Sequence, residues 1–368
     1  MLSVKRIRES MSDTNENELF RYIEYLQNEL VAEGSESFIR NERDWFINSR
    51  EKIKASLEAK LGDGKEPHPI ALKIDSFEGK TKFESFFSSE SFKPLLDDVT
   101  KIYEELDVTL SATVDLFTSP GLSPGACARP SIFGHTIFAG EGTMSFCNYW
   151  SKIFISVVIG ATSESNSELD EVSINQAIAE HDIGIKTFCL TAYYSQLGSL
   201  KGFGKLSEPK GAMLERASLV QAMEVFIIAH EFYHLHLEEQ YPDSNGLPPD
   251  TSQKEMELMC DSWGLVVLTL FGLKHNNIYA TNLIAPLVFF SSLELCESTR
   301  VKLKPEVAID DSHPSPLDRL TNINEFIENG NFPEYMKDSS EKFTRISVQI
   351  SKRLDKLVEA YLFAGKYA

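Results

Sequence analysis

The chain has 368 residues, 42% hydrophobic and 25% charged, the composition of a folded globular protein long enough to bury a sizeable core. With 36 basic against 55 acidic residues its net charge is −19, which argues against nucleic acid or an anionic membrane as partner. The five cysteines, Cys127, Cys147, Cys189, Cys260 and Cys296, are odd in number and scattered, as reduced thiols are, and no apolar run follows the basic start at 1–8. The expected location is therefore cytoplasmic.

In chain order, residues 1–60 are predicted to be helical and polar. Leu19, Tyr22, Ile23, Leu26, Leu30 and Val31 recur at spacings of three and four and form one apolar face. Loops are expected over 61–92, and helical spacing returns from Lys93 to Leu106. Residues 108–116 alternate like a half-buried strand until Pro120, Pro124 and several glycines interrupt them. The stretch 120–142, with Gly134, His135 and Gly140, is expected as a flexible rim. The β-branched run 153–159 reads as a second strand, and 161–173 as an exposed acidic loop. Helices follow near 184–198, 212–238, 252–273, 278–297 and 340–365.

The apolar stretches 264–273 and 282–290 are too short to span a bilayer, so core helices are expected and no membrane. The fold class is α+β and mostly helical. A helical N-terminal region covers 1–106 and a catalytic region with a small sheet covers 107–330. A closing helix over 331–368 turns Ile346, Ile350, Leu354, Leu357 and Tyr361 inward.

The chemistry is concentrated in His230-Glu231-Phe232-Tyr233-His234, an H-E-x-x-H inside an apolar helical run. Two imidazoles at i and i+4 share one helix face and can reach one metal ion. A hydrolytic zinc site takes three protein ligands and keeps one position open. About one helix downstream, Glu257-x-x-x-Asp261 offers the third ligand and a carboxylate to orient a ligand histidine, with Glu255 as the alternative ligand. Glu231 lies about 100° round the helix from His230, which suits a general base. His236 is read as a surface residue and Cys260 as a neutral buried thiol.

This order of blocks resembles the gluzincin group of zinc peptidases, to which thermolysin belongs. The downstream segment Ser312-His313-Pro314-Ser315-Pro316-Leu317-Asp318-Arg319 is similar to the His-Pro…Arg segment of HtpX-type and prenyl-protein-type peptidases. The likeness runs over about 107–325 and extends to soluble Lit-like phage-exclusion peptidases. It implies a zincin-like catalytic domain with an active-site helix and a third-ligand helix. It further implies Zn2+ held by His230, His234 and Glu257, Glu231 as base, Asp261 behind the ligands, and His313 or Arg319 polarising the substrate carbonyl. An edge strand pairing with extended substrate is also implied, a role assigned to 153–159. The activity expected is endopeptidase cleavage of a protein or peptide substrate. The rival reading is a catalytically silent, zinc-stabilised binding or regulatory protein with a peptidase fold.

Overall fold

The computed structural model describes residues 14–31, 41–61, 69–121, 123–131, 134–163, 170–180, 182–244, 246–304, 313–330 and 332–366. Of the segments singled out in the sequence, residues 1–13 and 164–169 and Ser312 lie outside the described residues.

The N-terminal part is helical: α1 (Thr14–Glu29), α2 (Glu42–Leu61), the short α3 (Pro69–Ile74) and α4 (Phe86–Glu105). Strands β1 (Val114–Thr118), β2 (Cys127–Ser131) and β3 (Gly134–Ala139) follow. The chain then continues through α5 (Glu141–Ser163), α6 (Glu171–Glu180), α7 (Ile183–Leu197), α8 (Met213–Gln240) and α9 (Gln253–His275). It ends in α10 (Ile278–Thr281), α11 (Ile284–Leu303), α12 (Pro316–Asn329) and α13 (Glu334–Lys366). The protein is thus mostly helical with a three-stranded sheet.

Helix α8 is the spine. Its buried residues run from Leu219 to Leu237 on all sides, and α4, α5, α9 and α11 pack around it. A helix apolar all round belongs in a core. The core does not break near residue 106: Phe92 to Tyr103 of α4 and Ile346, Ile350, Leu354 and Val358 of α13 join the same cluster as α8. On α13, Leu357 is only partly buried, while Tyr361 is exposed and rests beside Phe188 at 5.5 Å. In α1, Ile23 is fully buried against Phe117 and Phe138, flanked by Leu19, Leu26 and Leu30 as the spacing predicts.

Strand order is β1-β3-β2, with β3 parallel to β1 and antiparallel to β2. β3 is buried along its whole length, and β2 forms one edge. The predicted rim is therefore a hairpin of two strands. The strand expected over 108–116 begins only at Val114.

The strand expected over 153–159 is a correction. These residues lie in the middle of α5, where Ile153, Phe154, Ile155, Ser156 and Val157 are all buried. A short apolar run without polar alternation carries no period, so burial on every side admits either helix or strand. The residues expected as loop over 61–92 include α3 and the start of α4, whose cap is Ser85 accepting from the Ser88 N–H. The helix expected over 278–297 is two helices, separated where Leu283 takes a left-handed φ of 55°. Pro286 then falls in the first turn of α11, where a missing N–H costs nothing.

Candidate metal centre

His230 and His234 stand one turn apart on α8, the most firmly held helix of the fold. Phe226 and Ala229 beside them are buried. Tyr103 of α4 donates its hydroxyl to the Ala229 carbonyl at 2.8 Å and stacks on Phe232 at 4.7 Å between ring centroids. The partner helix α9 starts at Ser252 with a reciprocal capping box. The Ser252 hydroxyl accepts from the Glu255 N–H, and the Glu255 carboxylate accepts from the Ser252 N–H at 2.8 Å. Glu255, the alternative ligand, is thereby committed to the exposed helix start, whereas Glu257 is buried.

Gly264 lets α9 come close to α8. A Cβ there would meet Phe226 at 3.2 Å and lie 3.5 Å from the His230 nitrogen. Helix α9 is also long and apolar enough to cross a bilayer, with a mean hydropathy of 1.5 over its best window, and 61% of that window is buried inside the protein.

Three side chains converge. His230 Nε2 and His234 Nε2 are 3.1 Å apart; Glu257 Oε2 lies 3.3 Å from the first and Glu257 Oε1 lies 3.4 Å from the second. Tetrahedral bonds of roughly 2.0–2.1 Å to zinc place ligand atoms about 3.3–3.4 Å apart, the spacing of each imidazole nitrogen to its nearer Glu257 oxygen, and one atom from each residue lies within 4.8 Å of the others, close enough to share an ion. Among the described residues this is the group that could hold a metal ion.

The field agrees with the geometry. Burial alone would raise the Glu257 carboxyl, but hydrogen bonds and charge from the two imidazoles override it and hold it far below the usual range. Burial alone would lower His230; the Asp261 and Glu257 carboxylates outweigh that and push it up to about 9. The surroundings favour positive charge at this spot.

Behind the ligands the order is set by α12. His230 Nδ1 donates to Asp261 Oδ1 at 2.9 Å, which directs the Nε2 lone pair at the convergence point. Asp261 is fully buried and is gripped by Arg319, with Nε to Oδ2 at 2.7 Å and Nη2 to Oδ1 at 2.5 Å. The guanidinium lies over the Phe290 ring at 4.5 Å. Burial works to raise the Asp261 carboxyl, yet Arg319 and His230 bring it below its ordinary value. The fork of Arg319 is engaged with Asp261, so its visible work is positioning, in contrast to the carbonyl-polarising role the resemblance implies.

Helix α12 itself starts cleanly. Ser315 and Asp318 form a second reciprocal capping box and Pro316 takes the first position. His313-Pro314 precedes this cap, and His313 Nε2 lies 3.7 Å from Glu257 Oε1 with its side chain 57% exposed.

Glu231 reaches β2, where its Oε2 accepts from the Ala128 N–H at 2.8 Å. Residues of an antiparallel strand alternate between facing the partner and facing out. Ala128 thus belongs to the outer edge of β2, together with Pro130, which has no N–H to leave unpaired there. Cys127 to Arg129, His230, Glu231, His234, Glu257, His313 and Arg319 all line one cavity of about 820 Å³.

Sequence reasoning missed Ala128 and Phe290. A backbone donor leaves no trace in a side-chain pattern, and Phe290 is one apolar residue in an apolar run. His236 is half-buried against Tyr233 at 5.4 Å rather than at the open surface, and stands outside the converging triad. Cys260 is fully buried, and burial together with Glu257 pushes its thiol far up, so it stays neutral. The chain matches no family model, no curated protein and no solved structure.

Proposed function

We propose that this chain is a zinc-dependent endopeptidase of the gluzincin type, with a zincin-like arrangement of α8, α9 and the β2 edge. One observation carries the reading: His230, His234 and Glu257 converge at tetrahedral spacing while Glu231, outside that triad, faces the same cavity.

His230, His234 and Glu257 would hold the ion, which when bound supplies a Lewis acid and lowers the pKa of water towards neutrality. Asp261 and Arg319 fix the His230 tautomer and ring plane. Glu231 serves as general base for the attacking water and returns the proton to the departing amine. His313, at the rim beside Glu257, would stabilise a substrate oxygen.

The substrate-pairing role expected of 153–159 passes to β2. Its outer edge presents the Ala128 N–H and carbonyl beside Glu231, so an extended peptide pairing there lies within reach of the base. A substrate carbonyl that captures the Ala128 N–H also releases Glu231 from it.

The test is a Glu231→Gln variant. It should retain one equivalent of zinc by elemental analysis and lose at least about a hundredfold in cleavage of a peptide library. Zinc retained with no cleavage by the native protein either would favour the silent binding protein instead.

A further inference from the structure

The cavity reaches well beyond the ligands. Its wall on one side is apolar, built from Tyr194, Phe226, Ile227, Phe290 and Leu293, and it ends at a carboxylate, Glu297. Phe290, Leu293 and Glu297 are i, i+3 and i+7 on α11, one stripe of one helix. Phe290 marks the end nearest the metal centre, because Arg319 lies on its ring and Phe226, next to His230, meets it edge-on at 5.7 Å. Glu297 is seven residues further, roughly 10 Å along the helix axis.

Among the described residues, no Lys or Arg nitrogen lies within ion-pair distance of Glu297. Burial raises its carboxyl above the ordinary range, and Arg300 draws it back only in part. The cationic residues that line the cavity are elsewhere: Arg129 on β2, Lys254 at the start of α9, and Arg319, which is bound to Asp261. A half-buried anion at the end of an apolar slot is costly unless a cation meets it there.

We propose that this slot is a side-chain subsite for lysine or arginine, with Glu297 as the specificity-determining residue. The proposal rests on the peptidase reading of the same cavity. A lysine stem lies over roughly 6 Å of apolar wall and carries its charge at the tip, where the Glu297 carboxylate can reach back to meet it. With its backbone along β2 beside Glu231, a residue flanking the scissile bond brings that tip to Glu297.

The test uses the full-length Glu231→Gln protein, loaded with zinc, and fluorescein-labelled heptapeptides of Gly, Ala and Ser with a central Lys, Leu or Glu. Fluorescence anisotropy should show the Lys peptide binding about tenfold tighter than the Leu peptide, and the Glu peptide weakest. Adding Glu297→Gln should erase the gap between Lys and Leu while leaving Leu binding unchanged. Leu293→Trp, which fills the slot, should weaken both. Equal binding of Lys and Leu peptides, a gap that survives Glu297→Gln, or no binding of the Lys peptide overturns the proposal. Cleavage by the native protein is read separately. If it cleaves without regard to Lys, the peptidase stands and the subsite falls. A Glu297-dependent Lys preference without cleavage leaves the subsite standing and removes the peptidase.

Discussion

Two of the buried carboxylates, Glu84 and Glu257, sit among polar partners that treat them in opposite ways. Glu84, beside the sheet, is met by neutral donors: Gln27 Nε2 at 3.2 Å and the Thr118 N–H at 3.3 Å. Gln27 is fixed in turn by the Thr81 hydroxyl at 2.6 Å and the Thr118 carbonyl at 2.7 Å. Glu257 is met by two imidazoles, with a carboxylate and a guanidinium behind them. Burial wins at Glu84 and raises its carboxyl to about 7. At Glu257 burial loses and the carboxyl is held far below its ordinary range. A network of amides and hydroxyls shares out single protons and can close on itself. A network of acids and imidazoles concentrates negative potential at one point and could hold a cation there.

That contrast can be broken at its charged side first. Arg319→Met leaves Asp261 buried with its main counter-charge removed, and should cost about 3–5 kcal/mol in urea unfolding. Gln27→Met at the neutral side should cost less, about 1–3 kcal/mol. Similar losses at both would mean that the charged cluster is not special. Cation binding gives the next effect. Zinc at a thousandfold above its Kd should stabilise the protein by about 4 kcal/mol in thermal unfolding, and a chelator should remove the gain. Glu257→Ala should abolish that response, and Glu84→Ala should leave it intact.

A last effect sharpens the neutral side through pH. The Glu84 carboxyl is raised in the folded protein to about 7 from 4.5, mainly by burial. Between those values the folded state binds more protons than the unfolded one. Its contribution is therefore complete below about pH 4.5 and is lost as pH rises to about 7, a change of about 3 kcal/mol. Glu84→Gln should flatten that part of the profile and be the more stable protein at pH 8. An unchanged slope would mean the carboxyl is not the titrating group.

Much of the helical frame was legible, because α8, α9 and α13 are long runs free of proline and, in α13, one apolar stripe repeats along a polar helix. The candidate ligands were legible for the same reason: two histidines one turn apart share a face whatever surrounds them. What surrounds them was not. Arg319 meets Asp261 from 58 residues away, and only the packing of α12 on α9 brings them together. β2 hid behind Pro130 and Arg129, which suit an exposed edge and mimic a loop. The run at 153–159 misled for the opposite reason, since Ile and Val packed on all sides of α5 lack any period to read.

Gly264 has a consequence for how the proposed ligands are spaced. Both imidazoles ride on one rod, so their mutual spacing is fixed by the turn of a single helix, whereas the acid arrives on another. The jaw opens or closes only where the two rods cross, two turns beyond Glu257, and there the absence of a side chain sets the gap. A methyl group at that crossing would stand 3.2 Å from the Phe226 ring and press the two helices against each other one turn before His230. The spacing of the proposed ligand set therefore depends on a residue that lies outside it.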